Sequence, residues 1–422
     1  MEYNIEELEA LIASENISEL KAFMEKHNLE IKDNKIVPKI EAKEYFVKMA
    51  AFWDQRQLAR KILLNSLYGA LLNEGCRFYD KRIGQSVTLT GRSIAKHMNS
   101  KVNECITGAY QFDGEGIVYA DTDSSYFSAY NTMKLDPETA AFADDKDSML
   151  ALYLSIGDSV NESFPYFMND HFNTGIERGK IIAAGLELVS ETGMFIKKKR
   201  YAVLKFWDES SGRLDTDGKP GKIKAMGLDL KRADTPKFMQ DFLSKILMQI
   251  LTGVGEDPIL EEIKEFRNEF RKMEPWEQGT PKKVNGLTVA AEKLEKAEAH
   301  AAANFMNRSV VKEKRDTVAG HVQASINWNK LKKMNSDNYS SDITDGGKVI
   351  VCKLLNNPMK ITSVAYPYDQ RHLPEWFKKL PFDVELMEET IIDKKVRNLI
   401  GVLNWDLKKT REDTTFNDLF TF

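Results

Sequence analysis

The sequence predicts an α+β protein, with helices toward both ends and a β-rich middle. Three observations carry that prediction. Leu8, Leu11, Ile12, Leu20 and Phe23 recur at helical spacing with charges between them. From Gly116 to Ser128 the period changes, and β-branched and aromatic residues flank a polar centre at Asp121–Ser124; this predicts two short strands joined there. A second β-rich stretch covers Lys180–Leu230 and includes the cationic run Lys197–Arg200.

Taken in order, the first helical run breaks near Asp33 and Asn34, with Pro38 beyond. A second runs from about Glu41 to Tyr68 and is expected to stop at Gly69, a good helix-end residue. The two predict a helical hairpin. Helices are further predicted over Gly91–Ile106 and Ser148–Asn173. The last third opens on Asp234-Thr-Pro-Lys237, where Thr235 is placed to cap and Pro236 to sit where a helical N–H is dispensable. Phe238, Phe242, Ile246, Leu247 and Ile250 form the apolar stripe behind it. Asp257-Pro258 starts another helix with Ile263, Phe266 and Phe270 on one face. A mixed region follows, then a helix over about Val384–Ile400 and a short aromatic tail, Phe416–Phe422.

With 422 residues the chain has length for two or three domains. A hydrophobic fraction of 42% suits a folded protein. The net charge is −4, so any nucleic-acid surface must be a local basic patch on an acidic molecule. Cys76, Cys105 and Cys352 lie far apart without metal-type spacing and read as reduced thiols of a cytosolic protein. No apolar run reaches membrane-spanning length, so no membrane is expected as a partner.

Three motifs carry chemistry. In Arg60-Lys-Ile-Leu-Leu-Asn-Ser-Leu-Tyr-Gly69, a helix puts Gln57, Lys61, Asn65 and Tyr68 on one face. A cation, two amides and a ring suit a nucleoside triphosphate, the ammonium on phosphate and the ring beneath a base pair. An amphipathic helix with a solvated face is the bland alternative. In Tyr119-Ala-Asp-Thr-Asp-Ser124, carboxylates at i and i+2 on a strand point to one side and repel unless a cation lies between them. Mg²⁺ prefers one or two carboxylates plus phosphate oxygens and water. An Asx turn is the alternative. In Lys198-Lys-Arg-Tyr201, cations beside an aromatic ring suit a nucleic-acid backbone, against a solvated charge run.

These three motifs, in this order and at domain-like intervals, closely resemble family B DNA polymerases, where they are the fingers motif, the second catalytic aspartate motif and the primer-template lysine motif. Arg77-Phe-Tyr-Asp80, Met226-Gly-Leu228 followed by Thr235-Pro-Lys237, and the tail ending in Phe422 point to the T-even-phage-like branch. The resemblance implies a palm of antiparallel sheet with helices, a helical fingers segment and a mainly helical thumb. It implies fingers over 1–69, the later half of the palm over 70–232, thumb over 233–415 and a clamp-binding tail over 416–422. It assigns direct metal binding to Asp123, an outer role to Asp121 and a further acidic role near the metals to Glu187. On the same resemblance Lys61 is expected to meet the triphosphate, with Gln57 on the same face. Asn65 and Tyr68 are expected under the nascent base pair, with Gly69 allowing close packing. Lys198, Lys199, Arg200 and Tyr201 are expected to follow the primer-template. Leu419, Phe420 and Phe422 are expected to anchor a sliding clamp.

The resemblance also marks what this chain lacks: the exonuclease domain, the palm segment with the first catalytic aspartate, and the first fingers helix. Two Mg²⁺ ions are thus expected to be shared with a partner chain bearing those parts, in a heterodimer that takes dNTP and primer-template DNA in a bacterial host's cytoplasm. The starting Met1 and the N-terminal helix favour a natural split over a trimmed polypeptide. A non-catalytic subunit tethering DNA and clamp is the rival class, and both motif aspartates speak against it. A different metal-dependent phosphotransferase is disfavoured by the Lys61–Gly69 helix.

Overall fold

The computed structural model describes residues 5–14, 16–32, 35–216, 218–296 and 318–411. Helix and antiparallel sheet are both present, as expected for an α+β chain. None of the described helices is long and apolar enough to cross a membrane. The chain divides into two compact units: Met1–Asn99 with Thr122–Ser124, and Ser100–Asp121 with Ser125–Phe422.

The first unit opens with helices α1 (Ile5–Ala13) and α2 (Ile17–Lys26). Asn16 caps α2 by accepting from the Glu19 N–H. Instead of a plain break, strands β1 (Leu29–Lys32) and β2 (Lys35–Pro38) then pair as a hairpin, Ile31 opposite Ile36. The predicted helical hairpin is corrected accordingly. Alternating β-branched and charged residues, Glu30-Ile-Lys32 and Lys35-Ile-Val37, gave the ladder its pattern. Leu8, Phe23 and Leu29 close a small core over this hairpin.

Helix α3 (Ile40–Leu71) follows and passes through Gly69 by two residues, the Leu72 N–H donating to the Gly69 carbonyl. Every residue from Ala51 to Ala70 is exposed. Phe52, Trp53, Leu58, Ile62, Leu63, Leu64 and Leu67 spread around most of its circumference. Asp80 starts α4 (Lys81–Thr107), accepting from the Arg82 N–H at 2.8 Å. The predicted Gly91–Ile106 helix is therefore the later part of a longer one.

In the second unit the end of α4 is buried through Ser100, Val102 and Asn103. Asn103 Oδ1 accepts from the Gly116 N–H at 3.0 Å, and its amide donates to the Ala109 carbonyl at 2.8 Å. This brace delivers the chain into β3 (Ile117–Asp121), which pairs with β4 (Ser124–Phe127). Helix α5 (Tyr130–Leu135) and the long α6 (Lys146–Phe172) follow.

A four-stranded antiparallel sheet comes next: β5 (Leu188–Lys197), β6 (Arg200–Asp208), β7 (Gly212–Arg213) and β8 (Lys222–Met226). Strand β6 is central and pairs with the other three. Its Ala202 and Leu204 share one core with Met239, Leu243 and Leu247 of α7 (Lys237–Leu251), Ile259 and Ile263 of α8 (Glu256–Lys272), and the C-terminal helices. That core draws on both sides of position 232. Pro236, not Thr235, is the N-cap of α7. Thr235 is buried, and its hydroxyl accepts from the Lys395 ammonium at 2.9 Å.

The mixed region builds a second core. Strands β9 (Thr280–Lys283), β10 (Lys348–Lys353) and β11 (Ser363–Pro367) form a sheet in the order β11-β10-β9, with α9 (Gly320–Met334) packed on it through Trp328. The predicted Val384–Ile400 helix is α10 (Val384–Glu388), a π turn (Glu389–Asp393) and α11 (Lys394–Ile400). Buried Arg267 of α8 pairs there with Glu388 and Asp393, and Arg271 and Arg411 join the same carboxylates. Charges removed from water need pairing of this kind.

Candidate active site

The β3–β4 hairpin forms where the sequence placed it. Asp121 ends β3, Thr122 turns the chain with φ 59°, and Asp123 is exposed in the turn. The donor set fits a hard divalent cation, which takes one or two carboxylates and keeps water or phosphate oxygens for the rest. No group of three His, Cys, Asp or Glu side chains able to hold a metal occurs among the described residues. Glu187 is thus not brought into a cluster with both aspartates. It is exposed and pairs with the Lys224 ammonium at 2.5 Å.

The β5–β6 turn carries the cationic run. Lys198 and Lys199 are exposed, and Lys199 holds φ 63°. The Lys199 N–H donates to Tyr119 Oη at 2.7 Å, and its ammonium lies 3.8 Å from Asp121 Oδ1. Gly227 closes the turn from the β8 side, with φ 63°; a Cβ there would stand 2.1 Å from the Lys199 carbonyl oxygen.

The other half of the motif faces inward. Arg200 reaches Asp229 Oδ2 at 3.5 Å and donates to the Asn398 carbonyl at 3.4 Å. Tyr201 is buried among the rings of Tyr119, Tyr126 and Phe195, with centroids at 5.5, 5.0 and 5.5 Å. Tyr126 donates to Tyr201 Oη at 3.2 Å. Burial, and then that hydrogen bond, push the Tyr126 hydroxyl above the ordinary tyrosine range. Sequence reasoning missed Tyr119 and Tyr126. The signal was available, because Tyr119 and Asp121 are two apart on a strand and so share a side.

In the first unit, Gln57, Lys61, Asn65 and Tyr68 lie along one side of α3, all exposed, with apolar residues around the rest. Gly69 has nothing within 4 Å of a Cβ position. Leu419, Phe420 and Phe422 lie outside the described residues.

Residues 33–146 match the family model of DNA polymerase family B. That span holds Gln57, Lys61, Asn65, Tyr68, Asp121 and Asp123. The chain is 30% identical over 321 residues to the DNA-directed DNA polymerase of Escherichia phage RB69, covering 74% of this chain and 33% of that protein. It is 29% identical over 238 residues to the DNA-directed DNA polymerase of Enterobacteria phage T4, covering 54% and 26%. Against the DNA polymerase alpha catalytic subunit of Mus musculus the identity is 26% over 211 residues, 50% and 12%. The chain thus spans a third or less of the length of these relatives. It carries a family B DNA polymerase domain and is similar over most of its length to the T4-like phage members of that family.

Proposed function

We propose that the chain is the C-terminal part of a DNA-directed DNA polymerase and adds dNTPs to a primer 3′ end under template direction. The observation that carries the reading is the seating of the Lys199 turn on the strand that ends in Asp121. It sets cations that suit a phosphate backbone beside a carboxylate, Asp121, that suits a divalent cation. Residues 1–69 then serve as fingers, 70–232 as the later half of the palm, 233–415 as thumb, and Leu419, Phe420 and Phe422 as clamp anchors.

In the reaction the primer 3′-oxygen bonds to the α-phosphorus, the α–β bridging P–O bond breaks, and pyrophosphate leaves. Two Mg²⁺ ions, when bound, supply activation of the nucleophile and charge stabilisation of the leaving group. Asp123 would bind metal directly and Asp121 would assist, with Glu187 a further acidic group near the metals. Lys61 holds the triphosphate, and Asn65 and Tyr68 pack beneath the nascent pair with Gln57 alongside. Lys198 and Lys199 grip primer-template phosphates. Arg200 and Tyr201 serve the same motif from beneath, fixing its turn. The chain's contribution is positioning and charge.

A partner chain is part of this reading. A helix apolar on most sides is normally buried, and α3 exposes Phe52, Trp53, Leu58, Ile62, Leu63, Leu64 and Leu67. Carboxylates from an earlier palm segment would complete the cation site. The test is primer extension by this chain alone, and with a polypeptide bearing the exonuclease domain and first palm motif. Only the pair should extend, in Mg²⁺, and Asp123→Ala should abolish extension while sparing primer-template binding. Robust extension by this chain free of other protein refutes the partner; near-normal turnover by Asp123→Ala refutes the catalytic assignment.

A further inference from the structure

Lys199 is held twice by one strand. Tyr119 takes its backbone N–H at 2.7 Å, and Asp121, two residues along β3, stands 3.8 Å from its ammonium. The backbone is fixed from further sides. Gly227 abuts the Lys199 carbonyl, and the Tyr119 ring leans on Tyr201 and Phe195 at 5.5 and 5.8 Å. The ammonium end is different. The Lys199 side chain is 67% exposed, while Asp121 is 24% exposed. An ion pair this long and this wet is weak. Breaking it leaves no buried charge, and a phosphate oxygen offers a shorter, charge-assisted bond. Lysine suits such a move, being a point charge on a flexible four-carbon stem.

We propose that Lys199 is a positioning residue that exchanges between Asp121 and a backbone phosphate of bound nucleic acid, with Tyr119 holding its pivot. In the nucleic-acid-free state the ammonium sits as counter-charge on Asp121 and competes with a divalent cation. Phosphate draws it away and removes one competitor for Asp121. Linkage makes the effect mutual: cation at Asp121 releases Lys199 for phosphate. The inference rests on the polymerase reading and adds to it a coupling between cation and primer-template.

The test measures Mn²⁺ affinity by its paramagnetic resonance signal, in the full chain in its native assembly. It is done without DNA and with saturating, chain-terminated primer-template, at fixed ionic strength and without dNTP. Lys199→Asn removes the charge while tolerating the left-handed backbone of that position. It should tighten Mn²⁺ binding roughly two- to fivefold in the DNA-free state, the range of an exposed ion pair. With primer-template bound it should change Mn²⁺ affinity little, since Lys199 has already left. Lys198→Asn should weaken DNA binding and leave DNA-free Mn²⁺ affinity unchanged. Tyr119→Phe should shift it in the direction of Lys199→Asn, by less. Equal tightening in both states would show only a generic loss of positive charge and overturn the exchange. No tightening in the DNA-free state would overturn the counter-charge role. If the wild-type assembly binds no primer-template, the polymerase reading fails, while the DNA-free arm still decides whether Lys199 competes for Asp121.

Discussion

Replacing Gly227 with alanine should damage the cationic turn. Two costs combine, and the structure separates them. The first is conformational: φ is 63°, where a Cβ crowds the following carbonyl at about 1–2 kcal/mol. The second is steric. The new Cβ would stand 2.1 Å from the Lys199 carbonyl oxygen and 3.2 Å from Arg200 Cγ. Arg200 can bend, but a backbone oxygen has no rotamer to adopt. The turn must retreat by about 1 Å while its N–H is tied to Tyr119, a displacement of the overpacking kind at about 1–3 kcal/mol. Restricting the unfolded chain returns about 0.4–1 kcal/mol. The net loss is roughly 1–5 kcal/mol, centred near 3. Gly212 is the matched control, with φ 68° and nothing within 4 Å. Gly212→Ala should show the conformational cost alone, about 1 kcal/mol. Urea unfolding of both variants gives the difference, and amide hydrogen exchange at Lys199 locates it. If Gly227→Ala costs no more than Gly212→Ala, the close approach of β8 to the turn is wrong, and so is the pinned backbone argued from it.

On the polymerase reading proposed above, Lys61→Ala, measured as dNTP dependence with the partner chain present, should weaken dNTP use by roughly ten- to a hundredfold, the value of one charge-assisted phosphate contact; unchanged dependence would return the α3 face to a solvated one. Gly69→Ala has open space in this chain and should be neutral or stabilising by up to about 1 kcal/mol in isolation. A large destabilisation in circular-dichroism melts would contradict that exposure. Arg267→Met leaves Glu388 and Asp393 short of a buried partner and should cost about 3–5 kcal/mol. Burial alone would raise the Asp393 carboxyl, but Arg411 and Arg267 outweigh it and hold it below its ordinary value. Its stabilising share is therefore present above the unfolded value near pH 4 and fades as pH falls through the lower folded value. The gap between wild type and Arg267→Met in urea midpoints should narrow below about pH 4; a constant gap would deny the carboxylate its role.

Much of this was legible from local pattern. The β3–β4 hairpin announced itself because the period changed from helical to alternating around four polar residues, and that signal needs no distant partner. The helices of the last third were readable from their apolar stripes, although Thr235 turned from cap to buried acceptor once Lys395, far along the chain, reached it. The β1–β2 hairpin was missed because its strands are only four residues each and sit between two strong helical runs. Arg200 and Tyr201 show the limit most plainly. In sequence they continue a cationic run. In space β6 turns them inward, Arg200 to Asp229 and Tyr201 into the ring cluster, and only the tertiary neighbours decide that. Lys198 and Lys199 kept the exposure that the run implied.

The β3–β4 pairing has a thermal consequence. A lone two-stranded hairpin is marginal in water, and among the described residues this one belongs to no larger sheet. Its rigidity comes from the rings of Tyr119 and Tyr126 against Phe195 and Tyr201 and from the Asn103 brace, while the α7–α8 core melts on its own larger account. The carboxylates therefore sit on an element that opens locally at lower free energy than the whole unit. On slow heating, the cation and primer-template response proposed for this hairpin should be lost first, with the global transition following at higher temperature and the early loss reversing on cooling.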